Sequence, residues 1–326
     1  MYIVTGGAGL IGSSVVWGLN QRGITDILIV DHLGTSDKWK NLRGLKYSDY
    51  IERDDLFEFF ESEEFLDSVE CIIHMGACSA TTERDATYLI HNNFEYSKEL
   101  ALLSVENNIK FVYASSAATY GDGALGYSDD ESALDNLRPM NMYGYSKHMF
   151  DLWAKKTGLL EQIIGLKFTN VYGSNELHKA GMRSMVCRAY EQIVETGKVS
   201  LFKSYKPEYK DGEQKRDFIY VKDVVDMLLF LVFNEDVKGG IYNIGSGKAE
   251  TWIELVEAVF AAMQRPVNIK FIDMPEHLRD RYQYYTKADM SKFHALGYDK
   301  EITSLKDAIH DYVVNYISQE KFLGDE

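Results

Sequence analysis

Short, β-rich apolar runs alternate with longer amphipathic stretches along the first two-thirds of the chain. This alternation is typical of a parallel sheet whose strands are joined by crossover helices on both faces. The predicted strands are residues 2–5, 26–31, 71–75, 110–114 and 163–168. The predicted helices between them are residues 10–22, 87–107 and 143–156. The pattern therefore predicts an α/β fold built on a doubly wound parallel sheet.

The rhythm changes after Gly173, where shorter runs surround a long polar segment, residues 203–215, that we expect to be an exposed loop or hairpin. Later apolar runs at 199–202, 218–221, 240–244 and 267–272, with a predicted helix at 251–263, indicate a smaller α/β lobe. We predict a first domain over residues 1–173, to which 218–245 returns. Residues 174–217 and 246–326 would form mainly the smaller lobe.

Composition narrows the class of protein. Of 326 residues, 45% are hydrophobic and 26% charged, which is typical of a folded chain. The 35 basic residues are outnumbered by 50 acidic ones, and the net charge of −15 argues against nucleic acid as a partner. Cys71, Cys78 and Cys187 have no spacing that suggests a disulfide framework or a metal site. No apolar run of about 18 residues occurs, so we expect a cytoplasmic protein without a membrane partner.

A glycine-rich turn follows the first predicted strand and opens the first helix, with the sequence TGGAGLIG at residues 5–12. Gly6, Gly9 and Gly12 would permit a tight turn and close approach of the backbone to a pyrophosphate, which the helix N-terminus then faces. Asp31 lies at the end of the second strand, where an acidic residue accepts hydrogen bonds from an adenosine ribose. The motif predicts a dinucleotide site in a sheet of the Rossmann type.

The residues alone leave the identity of the dinucleotide open. Asp31 favours NAD, because its carboxylate would bind the free ribose hydroxyls. Lys38 and Arg53 could instead reach a 2′-phosphate and favour NADP, although both could equally be solvated surface charges.

A second motif begins the helix at 143–156. The YxxxK spacing places Tyr143 and Lys147 one turn apart on the same face. A nearby ammonium would lower the pKa of the phenol, so that Tyr143 could exchange a proton with a substrate hydroxyl. The hydroxyl of Ser116 follows the strand at 110–114, at the sheet edge where open α/β folds place their sites. Together these side chains suit hydride-transfer chemistry.

Five ordered motifs spread over nearly the whole chain now suggest a family: TGGAGLIG at 5–12, the asparagine pair at 92–93, SSAATYG at 115–121, YGYSK at 143–147 and NVYG at 170–173. Together they resemble the extended short-chain dehydrogenase/reductases that act on nucleotide sugars. Further segments resemble the 6-epimerases of ADP-heptose within that superfamily: GACS at 76–79, TTE at 81–83, HK at 178–179, KRDFIYV at 215–221 and RYQ at 281–283.

The resemblance implies a reaction and a cofactor. ADP-D-glycero-β-D-manno-heptose would be inverted at C6″ through a transient 6″-ketone, for lipopolysaccharide core precursor synthesis. One NADP per subunit would be bound, with NAD the less favoured alternative, and the subunits would form a homo-oligomer, a pentamer by analogy. The implied cofactor-binding residues are Gly6, Gly9, Leu10, Ile11, Gly12, Asp31, His32, Lys38, Arg53, Met75, Gly76, Ala77, Cys78, Ser79, Asn92, Lys147 and Val171.

The resemblance also implies roles on the substrate side. Tyr143 would act as acid/base on one face of the sugar carbon and Lys179 on the other, with Lys147 and Ser116 assisting Tyr143. Lys179 could instead only contact the substrate. The implied substrate-binding residues are Asn170, Gly181, Arg188, Lys203, Ser204, Arg216 and Tyr282. Two rival functions remain at this point: another nucleotide-sugar epimerase, such as a UDP-hexose 4-epimerase, and a dinucleotide-binding regulator without activity.

Overall fold

Thirteen strands occur in the computed structural model, which describes residues 1–279 and 282–325. Arg281, part of one motif above, lies outside the described residues. The strands are β1 (Tyr2–Thr5), β2 (Ile27–Asp31), β3 (Asp49–Glu52), β4 (Cys71–His74), β5 (Lys110–Ser116), β6 (Ile164–Phe168), β7 (Asn170–Tyr172), β8 (Val199–Phe202), β9 (Lys215–Arg216), β10 (Phe218–Tyr220), β11 (Gly240–Ile244), β12 (Glu250–Thr251) and β13 (Ile269–Ile272).

Seven of these strands form one parallel sheet in the order β11-β6-β5-β4-β1-β2-β3. All residues of β2, β4, β6 and β11 are buried, because helices cover both faces of the sheet. The chain moves outward in one direction from β1 through β2 to β3, and in the other from β4 to β11. A crevice therefore opens beyond the carboxyl ends of β1 and β4, where such sheets bind ligands. The predicted doubly wound fold is confirmed.

The helices are α1 (Leu10–Gln21), α2 (Leu56–Phe59), α3 (Glu63–Ser68), α4 (Ala86–Leu89), α5 (Tyr96–Glu106), α6 (Met142–Thr157), α7 (Met185–Thr196), α8 (Val221–Phe233), α9 (Trp252–Ala262), α10 (Glu276–Arg279), α11 (Ser291–His294) and α12 (Leu305–Asp311). Helices α1 and α8 share one hydrophobic core with the sheet, and α5 and α6 share another on the opposite face. None of the helices in the described ranges is long and apolar enough to cross a membrane.

A third hydrophobic core joins α7, α9 and α12 beside the sheet. Short strand pairs belong to this region: β8 with β13, and β9 with β12. Segment 203–215 carries no helix and only its last residue enters a strand, as expected for a loop. Strand β11 pairs with β6 in the main sheet, although the sequence between β6 and β11 includes α7 and β8. The predicted domain division stays a prediction.

Three local features differ from the predictions. Strand β3 was not predicted, because its four residues are charged or half-exposed apart from Ile51. The helix predicted over 87–107 is three pieces, since a π-helical turn, Ile90–Glu95, separates α4 from α5. Strand β5 runs on to Ser116, so that serine ends the strand rather than following it.

Candidate active site

A cavity of about 1380 Å³ lies between the carboxyl edge of the sheet and the region of α7 and α9. Its wall combines the turn after β1, the ends of β2, β4 and β5, the first turn of α6 and the loop after β7. The two predicted acid/base residues, Tyr143 and Lys179, both line it. Residues that are far apart in the sequence therefore meet in one site.

The glycine-rich turn is shaped to admit a diphosphate. Gly6 has φ +63°, a conformation that side chains with a Cβ rarely adopt. A Cβ on Gly12 would lie 2.1 Å from the Gly6 carbonyl oxygen, so the turn and α1 pack too closely for any side chain there. The cap of α1 is Gly9, whose extended backbone leaves the free N–H groups of the first turn at the cavity wall. Among the dinucleotide contacts implied by resemblance, Leu10 and Ile11 also line this part of the cavity.

Both carboxylate oxygens of Asp31 already accept hydrogen bonds from other groups of the protein. One carboxylate oxygen accepts from Ala8 N at 2.8 Å, and the other accepts from His32 N at 2.7 Å and from Lys38 Nζ at 2.5 Å. Asp31 is buried, and the Lys38 side chain beside it is 19% exposed. The lysine thus places a positive charge at the expected ribose position and offsets the carboxylate charge, which favours an additional phosphate over a free hydroxyl.

Arg53 directly follows β3 and also lines the cavity. Its guanidinium donates to the Asn92 side-chain oxygen and, through Nε, to Asp54 at 3.0 Å. Asn92 and His32, two other predicted cofactor contacts, line the cavity as well. His32 Nδ1 lies 3.0 Å from a Glu52 carboxylate oxygen.

The segment after β4 forms the cavity wall next to the glycine-rich turn. Met75, Gly76, Ala77, Cys78 and Ser79 all line the cavity. The Cα and N atoms of Gly76 would lie 2.7 Å from a Cβ on Gly6, so the two turns touch backbone to backbone. The buried side-chain amide of Asn93 also holds this segment in place, because it accepts from the Cys78 N–H at 2.8 Å and donates to the Cys78 carbonyl at 3.0 Å.

Tyr143 stands in the first turn of α6. Asn141 caps this helix by accepting a hydrogen bond from Gly144 N at 2.8 Å. The cap fixes where α6 begins and therefore where Tyr143 lies. The absence of a side chain at Gly144 lets α6 approach Ala118, since a Cβ would lie 2.9 Å from the Ala118 carbonyl oxygen. Tyr143 consequently lies within hydrogen-bonding reach of Ser116 at the end of β5.

Burial raises the pKa of Tyr143, and the hydrogen bond with Ser116 opposes this only in part. The expectation that Lys147 lowers the phenol pKa is therefore wrong for the described structure. Burial also lowers the pKa of Lys147 to about 8, although the Asp151 carboxylate one turn further on opposes this shift. Lys147 is therefore protonated over a narrower pH range than an exposed lysine. Lys147 is only 3% exposed and lines the cavity.

Lys179 enters the cavity from the opposite part of the chain, in a 3-10 turn, Leu177–Met182, that follows β7. Burial lowers the pKa of Lys179, and the nearby Glu176 carboxylate opposes the shift. Glu176 is fully buried and accepts from Ser184 N at 2.5 Å and Ser184 Oγ at 2.6 Å. A half-buried lysine with a lowered pKa is suited to accept a proton.

The predicted substrate contacts differ in whether they reach the cavity. Asn170, Arg188 and Tyr282 line it, and so does Val171, which was predicted as a cofactor contact. Arg216 lies behind the wall: its guanidinium is 5.0 Å from the ring of Tyr282 and 5.6 Å from that of Trp252, both of which line the cavity.

The structure does not bring Gly181, Lys203 or Ser204 into the wall of this cavity. Gly181 lies in the same turn as Lys179 and is exposed. Lys203 pairs with Asp273 at 3.1 Å, and the Ser204 hydroxyl donates to the Lys206 carbonyl within its own loop at 2.9 Å. Both polar groups are thus used locally.

Several wall residues were not predicted. Tyr88 and Tyr96 flank Asn92 at intervals of four residues, a spacing on one helical face that could have identified them. Phe202, Trp252 and Ile272 form an apolar part of the wall from the region outside the main sheet. Each belongs to an otherwise ordinary apolar run, and no sequence signal distinguishes it from a core residue.

Residues 2–245 match the model of the NAD dependent epimerase/dehydratase family. A protein of Nitratidesulfovibrio vulgaris named ADP-L-glycero-D-manno-heptose-6-epimerase is 52% identical, and the match covers 98% of each chain. A Fusobacterium nucleatum protein of the same name is 54% identical, covering 98% of this chain and 99% of the other. Among solved structures, an epimerase of that name from Helicobacter pylori superposes with a TM-score of 0.79 at 25% identity, covering 96% of this chain and 95% of that one.

Proposed function

Because the chain belongs to the NAD dependent epimerase/dehydratase family, and within it to the proteins named ADP-L-glycero-D-manno-heptose-6-epimerase, we propose that it interconverts the two C6″ epimers of ADP-glycero-manno-heptose. The observation that carries this proposal is the arrival of Tyr143 and Lys179 at one cavity from separate parts of the fold. Inverting a carbon that bears a hydroxyl and no activating neighbour requires hydride to leave one face and return to the other, while a proton leaves the hydroxyl oxygen and another returns to the ketone oxygen in its new orientation. Two groups from different elements meet that requirement better than one.

The residues of the cavity fit a dinucleotide. The turn after β1 has no room for side chains at Gly6 and Gly12, and the N-terminus of α1 lies at the wall. We propose NADP, since Lys38 and Arg53 line the ribose end and Asp31 is already engaged by Lys38. When bound, the nicotinamide would take hydride from C6″ and return it to the opposite face.

The side chains divide the proton chemistry according to their pKa shifts. The raised pKa of Tyr143 keeps its phenol protonated, which suits donation to a ketone oxygen. The lowered pKa of Lys179 makes its neutral form more accessible, which suits removal of a hydroxyl proton. Ser116, hydrogen-bonded to Tyr143, would orient the same oxygen. Lys147 would hold ribose hydroxyls of the cofactor.

For the nucleotide part of the substrate we propose the wall formed by Asn170, Arg188 and Tyr282. Arg216 supports Tyr282 from behind and has no carboxylate partner in its described hydrogen bonds, since its only such bond is to the Lys215 carbonyl at 2.8 Å. A guanidinium in that state can turn towards a diphosphate and make paired hydrogen bonds.

The test is incubation of the purified protein with each ADP-heptose epimer separately, followed by NMR of the C6″ proton. Both incubations should converge on one mixture, while UDP-glucose should remain unchanged. Lys179→Met should stop this conversion yet leave cofactor content unchanged. Failure of the wild-type protein to convert either epimer, or equal turnover of UDP-glucose at C4″, would contradict the proposal.

Three further predictions accompany this function. The product would serve lipopolysaccharide core precursor synthesis in the cytoplasm. The protein would be a homo-oligomer, a pentamer by analogy. Light scattering during size-exclusion chromatography measures the molar mass of the assembly directly. Residues 1–173 with 218–245 would form the cofactor-binding domain, and the remainder mainly the substrate-binding lobe.

A further inference from the structure

Asn41 joins the glycine-rich turn to the segment that carries Lys179. It lies in a 3-10 turn, Asp37–Leu42, and its side chain is 1% exposed. Its amide nitrogen lies 2.8 Å from the Ala8 carbonyl oxygen, 3.0 Å from the Asn175 carbonyl oxygen and 3.2 Å from His178 Nδ1. One buried amide group therefore contacts the dinucleotide-binding turn on one side and the loop after β7 on the other.

The loop segment from Asn175 to Lys179 is anchored by hydrogen bonds at both of its ends. Asn175 has φ +74°, and its side chain donates to Ser13 Oγ at 2.9 Å and accepts from Leu323 N at 2.9 Å. The Lys179 N–H donates to the Glu176 carbonyl at 3.0 Å. Since Lys179 is three residues beyond the anchored Glu176, a shift of this segment would move the backbone that carries the Lys179 side chain.

We propose that Asn41 is a positioning residue for Lys179, holding that amine at a fixed distance from the dinucleotide-binding turn through Asn175 and His178. The proposal rests on the function proposed above for Lys179. The Asn41 donor satisfies two buried carbonyl groups, and losing it leaves both without that partner. The segment would then gain freedom, and Lys179 would spend less time where it can reach the sugar carbon.

The experiment compares Asn41→Ala with Asn20→Ala in the protein purified with its cofactor. Asn20 is a matched control, because its amide nitrogen also bridges two carbonyls, Ile24 O at 3.0 Å and Lys46 O at 2.8 Å, away from Lys179. Two readouts are measured: acetylation of Lys179 by limiting acetic anhydride, and the separate kcat and KM for ADP-heptose. Lys210, whose side chain is 87% exposed, serves as the internal labelling reference.

In Asn41→Ala we expect Lys179 labelling to rise by about threefold or more relative to Lys210, through local opening of the segment. We expect kcat to fall by about tenfold or more, with KM changed less, as misplacement of a catalytic group predicts. Asn20→Ala should leave both readouts within about twofold of the wild type, even though it too lowers the melting temperature. Unchanged Lys179 labelling in Asn41→Ala, or an equal rise in both variants, would overturn the proposal.

A second pair of variants decides the matter if Asn41→Ala does not fold. In His178→Asn an amide atom can occupy the position of Nδ1 and keep a contact with Asn41, whereas the longer side chain of His178→Gln places its amide nearer the position of Nε2. Wild-type Lys179 labelling in the first and raised labelling in the second support the proposal. Equal labelling in both contradicts it. Because labelling does not depend on turnover, failure of the wild-type protein to epimerise would count against the proposed function alone.

Discussion

Replacing Tyr143 by Phe removes one hydroxyl from the first turn of α6 and leaves the ring in place. The hydroxyl is within hydrogen-bonding reach of Ser116, and the helix start is fixed independently by the Asn141 cap. The substitution should therefore affect proton transfer without moving the backbone around it.

The two expected costs differ enough to be told apart. Loss of one neutral hydrogen bond changes the free energy of unfolding by about 0.5–1.5 kcal/mol. Loss of a general acid/base slows the reaction by about 10² to 10⁴-fold, which corresponds to about 2.7–5.4 kcal/mol in the activation free energy. A small fall in melting temperature together with a large fall in kcat is therefore the expected result for Tyr143→Phe.

The assay is the NMR conversion of either ADP-heptose epimer, with bound dinucleotide measured after denaturation and melting followed by circular dichroism. Tyr145→Phe is the matched control, since Tyr145 lies on the same helix with 48% of its surface exposed. This control should retain full activity. A Tyr143→Phe enzyme within about threefold of the wild-type kcat would refute the reasoning, because a general acid/base typically contributes about 10²-fold or more.

Three more predictions concern the cofactor end of the cavity. Lys38→Ala should weaken the binding of NADP by about tenfold or more and that of NAD much less, measured by titration calorimetry, because the ion pair at 2.5 Å holds the ammonium beside Asp31, the residue expected to face the adenosine ribose. Equal weakening of both would contradict the NADP assignment. Gly12→Ala should yield protein without bound dinucleotide, detected by mass spectrometry after denaturation, because its Cβ would lie 2.1 Å from the Gly6 carbonyl oxygen. Activity should fall as pH rises through about 8, where Lys147 loses its charge. The free energy of unfolding contributed by Lys147 should instead rise from pH 8 upward, because the folded protein there binds fewer protons than the unfolded chain. Parallel pH profiles of kcat and melting temperature would contradict this.

The sheet could be predicted because its strands are buried on both faces and therefore read as continuous apolar runs. Strand β3 escaped because it lies at the sheet edge, where Asp49 and Glu52 face solvent and interrupt that pattern. The π-helical turn before α5 was also beyond prediction, since the apolar periodicity of residues 87–107 continues through it.

The cofactor half of the site followed from motifs because turn geometry restricts residue choice there, as at Gly6 and Gly12. The substrate half did not, because Phe202, Trp252 and Ile272 reach the cavity only through tertiary packing. The raised pKa of Tyr143 was unpredictable for the same reason: it reflects how deeply α6 is packed against β5. Asn41 belongs to no sequence motif, and its two carbonyl partners lie 33 and 134 residues away in the chain, so its contacts could not be predicted from the sequence.

The position of β11 has a consequence for how the chain can be cut. Proteolytic cleavage in the loop at 203–215 would leave an N-terminal fragment whose part of the sheet ends at β6 and a C-terminal fragment that holds the edge strand β11. Helix α8, on the second fragment, packs against α1 on the first, where a Cβ on Gly18 would lie 2.2 Å from Val225. We therefore expect the two fragments to stay associated through one shared sheet, so that a single cut at this loop breaks the polypeptide and leaves the fold assembled.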